Sequence, residues 1–133
     1  GVSLDYRGGY QRQDDIDYPG RVLDAAWFAH RTHSLEVSAR PGGVELFGQL
    51  YSTFKDHFMD NDDKPSALPN PQRMPPFGMA IRFPTASDAV GGKTFARWSL
   101  RGMELQAGLD GYRLEQDATR KMALLRTVGR QNR

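Results

Sequence analysis

Val44-Glu45-Leu46-Phe47-Gly48-Gln49-Leu50-Tyr51-Ser52-Thr53-Phe54-Lys55-Asp56-His57-Phe58-Met59-Asp60-Asn61 is the stretch whose reading decides the architecture of this chain. Taken in steps of two it separates into two surfaces. One carries Val44, Leu46, Gly48, Leu50, Ser52 and Phe54. The other carries Glu45, Phe47, Gln49, Tyr51, Thr53, Lys55, His57 and Met59. Successive side chains of a strand point to opposite sides, so alternation over this length predicts one long strand. Strands of globular domains usually end after about 5–6 residues, whereas a strand that crosses a bilayer needs about 9–11. A smooth apolar face backed by a charged, hydrogen-bonding one suits lipid on one side and water on the other.

The flanking sequence repeats the pattern. Leu35 to Arg40 alternates, Pro41-Gly42-Gly43 breaks it, and Val44 resumes it, which predicts a hairpin with a short glycine-containing loop. In a second hairpin Ala96, Trp98 and Leu100 share a face opposite Phe95, Arg97 and Ser99. Arg101-Gly102 turns the chain, and Met103, Leu105, Ala107 and Leu109 then oppose Glu104, Gln106, Gly108 and Asp110. Five strands are expected, near 2–9, 24–40, 44–59, 89–100 and 103–117. The joining segments 7–21 and 60–88 are long, polar and, in the second case, proline-rich. Loops beyond about 12–15 residues are unusual in a small domain unless they are functional. Short turns alternating with long polar loops describe the wall of an outer-membrane barrel. Trp98 on the apolar face beside a turn suits an interfacial aromatic belt, or the core of a soluble sandwich. Thr119 to Arg133 reads as a short basic helix or a frayed end.

Bulk properties narrow the class. A chain of 133 residues has room for one domain. It contains no cysteine, hence no disulfide framework and no thiolate metal site. A formal charge of +2, with both signs interspersed, argues against a dedicated nucleic-acid binder. No window approaches the roughly 18 apolar residues of a membrane helix. The start, GVSLDYRGG, has neither the basic region nor the apolar core of a signal peptide.

Several ordered pieces then resemble a known family. Asp17-Tyr18-Pro19 with Leu23-Asp24-Ala25, Gln49-Leu50-Tyr51 followed by His57-Phe58-Met59-Asp60-Asn61, Gly91-Gly92-Lys93, and Leu109-Asp110 to Asp117-Ala118-Thr119-Arg120 occur in the order seen in the barrel of TonB-dependent outer-membrane receptors. The similarity is to the copper or metal receptor branch and covers about Val2 to Arg120. It implies an all-β fold, an antiparallel up-and-down meander of about five strands within a large transmembrane β-barrel, with residues 1–120 as partial barrel and 121–133 as a basic tail. It also implies outer-membrane localisation, contact with lipid, with the remaining barrel and with a plug domain, and coupling to TonB through the parent protein. Such barrels have about 22 strands, and this sequence shows no plug, TonB box or terminal aromatic strand. The expectation is therefore a fragment of a longer protein or a degenerate reading frame, not competent for transport alone.

Candidate chemistry is sparse. His57 and Met59, two apart on one strand, project to the same side. Imidazole with thioether suits copper, since soft sulfur selects Cu(I), and in the resemblance these positions match a His-x-Met element of metal capture. The alternative is a solvated His57 and a Met59 packed beneath the long loop. No cofactor follows from the residues themselves; copper enters as an implied transported substrate. Asp60, Asn61, Asp62 and Asp63 offer oxygen ligands but lack the spacing and glycine of an EF-hand loop, and a solvated turn with Asx-type bonds is the simpler expectation. Met74 and Met79 read as gap-fillers, and His30 and His33 fall on opposite faces. Gly91-Gly92-Lys93-Thr94 lacks the first glycine of a phosphate loop, and no Gly-x-Ser-x-Gly elbow occurs. No enzyme is expected. The rival reading is a soluble β-sandwich that binds carbohydrate or peptide through its long loops, with Phe47, Tyr51 and Tyr112 as a platform.

Overall fold

The computed structural model describes residues 1–74 and 76–125 and is all-β. Its strands are β1 (Val2–Ile16), β2 (Asp24–Ala39), β3 (Glu45–Asp60), β4 (Gly78–Leu100), β5 (Met103–Ala118) and β6 (Lys121–Leu125). Strands β1 to β5 follow one another in sheet order, an antiparallel up-and-down meander, and β6 pairs with β4. Two units divide the chain. Unit one comprises Gly1–Gln11, His30–Lys55 and Ser87–Gln116; unit two comprises Arg12–Ala29, Asp56–Ala86 and Asp117–Arg133.

Both tight turns belong to unit one. Pro41–Gly43 forms a single 3-10 turn with Gly42 at φ 54° and Gly43 at φ 84°. Arg101 (φ 50°) and Gly102 (φ 82°) make a two-residue connection with both central residues left-handed, as a type I′ hairpin turn requires. The longer connections, 17–23 and 61–77, lie in unit two.

Three segments differ from the sequence expectation. β1 continues to Ile16 through a polar stretch expected to be a loop. As an edge strand it is exposed along nearly its whole length, so charges such as Arg12 and Asp14 sit in water at no cost to strand pairing. β4 begins at Gly78 instead of near 89. The alternation of Met79, Ile81 and Phe83 was there to read, but Pro84 interrupts it. Proline lacks an N–H, and it is tolerated here because the strand beside it breaks at the same level. The Thr119 N–H donates to the Pro84 carbonyl (3.2 Å), a bond that no Pro84 N–H can reciprocate. Beyond that gap Lys121 pairs with Arg82 and Leu125 with Gly78, the register already set by the Arg101-Gly102 turn. Lys121–Leu125 is therefore a strand, where a basic helix or frayed end was expected. Residues 126–133 lie outside the described residues.

The two faces of unit one follow from its contacts. The Gln49 Nε2 donates to Ser34 Oγ (3.0 Å) and Glu36 Oε1 (2.8 Å), so these three share a face. On that same face Phe47 stacks on Phe95 with ring centroids 4.9 Å apart, and Arg97 reaches Glu45 (3.5 Å) and Glu104 (3.2 Å). Glycine makes room: a Cβ at Gly91 would stand 2.5 Å from the Tyr51 ring and 2.8 Å from Tyr112 Cβ, the packing of an aromatic ring over a bare backbone. Neighbours in sequence point the other way, which puts Leu35, Val37, Leu46, Leu50, Leu105 and Leu109 on the opposite face. They are exposed, Leu50 by 65% and Leu109 by 79%. Among the described residues no second layer covers them. The buried apolar residues are Ala25, Ala29, Ala67 and Ile81, of which none belongs to unit one.

Candidate functional site

Unit two carries the loops, and three side chains organise them. Asn61 is fully buried and directly follows β3. Its Nδ2 donates to the Met79 carbonyl (2.7 Å) and to Ser66 Oγ (2.8 Å), and its Oδ1 accepts the Ile81 N–H (2.7 Å). The amide thus stands in for a peptide group on the edge of β4, which a carboxylate could not do because it has no donor. Asp62 N–H donates to Asp60 Oδ1 (3.2 Å), the expected Asx turn. The expectation of a solvated turn holds for the exposed Asp62 and Asp63 and fails for Asn61.

Arg73 is the second organiser. Its guanidinium donates to the carbonyls of Pro65 (2.8 Å), Ser66 (3.2 Å), Leu68 (2.8 Å) and Phe77 (3.1 Å). A planar fork with five donors is suited to gathering several acceptors of one loop. Gly78 lets this loop lie close, since a Cβ there would collide with the Ala67 carbonyl oxygen.

Lys64 is the third. Its ammonium meets Asp17 Oδ1 (2.9 Å), Asp24 Oδ1 (2.6 Å) and the Tyr18 carbonyl (3.2 Å). Asp24 also accepts the Tyr18 N–H (2.8 Å). The donated hydrogen bond from Lys64, then that from Tyr18, holds the Asp24 carboxyl below its usual range, and Asp17 followed by Asp24 raises the Lys64 ammonium. Tyr18-Pro19-Gly20-Arg21, with Gly20 at φ 76° and the Arg21 N–H on the Tyr18 carbonyl (3.0 Å), has the residues of a type II turn.

These loops border a cleft of about 1030 Å³ whose walls include Asp15, Asp17, Asp24, Asp60, Asp62 and Lys64. Asp60 has a raised pKa, chiefly because burial penalises its charge.

His57 lies elsewhere in unit two, in a pocket of about 210 Å³ with Trp27, Asp56, Thr85, Ala86 and Asp117. Thr85 Oγ1 sits at the edge of the imidazole, 2.8 Å from Nδ1 and 2.9 Å from Nε2. Met59 shares the His57 side of β3 by alternation but does not line this pocket. Among the described residues no group of three or more His, Asp or Glu is placed to hold a metal. His57 and Met59 are legible as a pair in the sequence, whereas Lys64 and Arg73 are not. The partners of Lys64 lie as far as 47 positions away, and no local pattern signals such pairings. Those of Arg73 are close in sequence but are backbone carbonyls, which carry no residue-type signal. Neither protein-family models nor curated proteins give a match to this chain.

Proposed function

We propose that this chain is a segment of barrel wall from an outer-membrane receptor of the TonB-dependent kind, with the strands of unit one crossing the bilayer. The observation that carries this reading is the uncovered aliphatic face of unit one, backed by a face of ion pairs, amides and stacked aromatics. Fully burying a Leu or Val side chain contributes about 1.5–3 kcal/mol. With exposures from 36% to 79%, the six leave about three side chains' worth of area in water and forgo roughly 4–9 kcal/mol, comparable to the roughly 5–15 kcal/mol that stabilises a whole domain. Lipid removes that penalty. The strand segments of unit one, 2–11, 30–39, 45–55, 87–100 and 103–116, are ten to fourteen residues long, enough for the roughly 9–11 that a tilted strand needs to cross. A soluble sandwich would need a second layer over Leu46, Leu50, Leu105 and Leu109, and all four are exposed.

A sheet in lipid must close on itself. The reading therefore requires further strands to pair along β1 and β5, and transport belongs to that larger assembly. The metal cargo rests on the His57-x-Met59 resemblance. Arginine placed at Leu50 and, separately, at Gln49 tests the orientation. On a lipid face near the midplane it costs about 2–4 kcal/mol of membrane stability, whereas lumen substitutions are tolerated. Loss of assembly with Leu50→Arg and retention with Gln49→Arg is expected. Equal tolerance of both would remove the membrane reading.

A further inference from the structure

The loops 17–23 and 61–77 of unit two are each tied internally and are joined to one another through one side chain. In the first, the Tyr18–Arg21 turn and the Tyr18 N–H to Asp24 bond fix the backbone. In the second, the Lys64 N–H donates to the Asn61 carbonyl (2.9 Å), the Ala67 N–H to the Lys64 carbonyl (3.0 Å), and Arg73 gathers four carbonyls further on. The Lys64 side chain then crosses over, and all three oxygens around its ammonium come from Asp17, Tyr18 and Asp24.

We propose that Lys64 is a clasp that couples these two loops beside the acidic cleft they border, so that a displacement of one carries the other. An ammonium has three donors, and here three acceptors meet it. Its side chain is only 13% exposed, against 73% for Asp17. Moving either loop alone would break all three bonds to the ammonium. Moving both together keeps every bond. Asp17 and Lys64 both line the cleft, so both loops contribute to its wall. This coupling does not depend on the membrane reading.

Hydrogen–deuterium exchange of the intact protein in detergent micelles tests the clasp, comparing the original chain with Lys64→Met and with the milder Asp17→Asn. The amides of Tyr18 and Arg21 report on one loop and those of Lys64, Ala67 and Leu68 on the other. Lys64→Met is expected to speed exchange several-fold in both loops together, Asp17→Asn to do so in both by less, and the Leu35–Leu50 hairpin to stay unchanged. A rise confined to one loop, or none, would overturn the proposal. So would a rise that spreads to the hairpin in both variants, since Lys64 would then support the fold at large and not couple two loops.

Discussion

Asn61 and Ile81 are joined as two strand residues would be, except that one partner is a side chain: Asn61 Oδ1 accepts the Ile81 N–H at 2.7 Å while Nδ2 returns a bond to the Met79 carbonyl. Asn61→Ala leaves a buried N–H and a buried carbonyl unsatisfied, at about 1–3 kcal/mol for each group. A fall of about 2 kcal/mol or more in unfolding free energy is expected from denaturant titration, within that range. Asn61→Asp keeps the acceptor and loses the donor, so it should also destabilise, and more so at neutral pH than in acid where the carboxyl regains a proton.

Gly91 and Tyr51 provide a test of packing in unit one. A Cβ at position 91 would stand 2.5 Å from the Tyr51 ring, and overpacking of this kind costs about 1–3 kcal/mol. Gly91→Ala should destabilise by that order in the same titration. If the ring is the obstacle, the double variant with Tyr51→Ala should lose less than the sum of the single losses. Additivity would mean that the backbone and Tyr112 Cβ decide the effect.

The clasp has a pH window that follows from its two partners. Asp24 has a folded pKa below 3.8, so its contribution is present above the unfolded value and is lost as pH falls through the lowered one. Lys64 has a folded pKa above 10.5, so its contribution is present below the unfolded value and is lost as pH rises through the raised one. A fluorescent probe at the exposed Gln72 should therefore report a constant loop environment through neutral pH, with changes below about pH 4 and above about pH 10.5. Asp24→Asn should abolish the acid-side change that the carboxylate causes.

Copper binding is checked by competition titration of Cu(I) against the protein and its His57→Ala, Met59→Ala variant. The receptor reading expects weaker binding in the variant, by tenfold or more if both donors are ligands, since each tenfold step is about 1.4 kcal/mol. Identical affinity would leave His57 as the partner of Thr85 and nothing more.

Much of the fold was legible because alternation is a local signal. Leu46, Leu50, Leu105 and Leu109 announced their common face, and Gly42, Gly43 and Gly102 their turns. What escaped was long-range. Pro84 hid the first half of β4 because its effect on the ladder is felt at Thr119, on another strand. Lys121–Leu125 looked like a tail because β4 supplies its pairing partner. In the loops, Asp17, Asp24 and Asn61 were noticed as motif pieces or oxygen donors, while their roles depend on Lys64 and Ile81, residues that only folding brings near.

The central claim, that one face of unit one meets lipid and the other water, is tested most directly by spin labels placed singly at each position from Leu46 to Thr53 in bilayer-reconstituted protein. Collision rates with oxygen, which partitions into lipid, and with a polar nickel chelate should alternate with a period of two. Positions 46, 48, 50 and 52 should favour oxygen, and 47, 49, 51 and 53 the chelate. Access of the chelate to all eight positions alike would contradict the account.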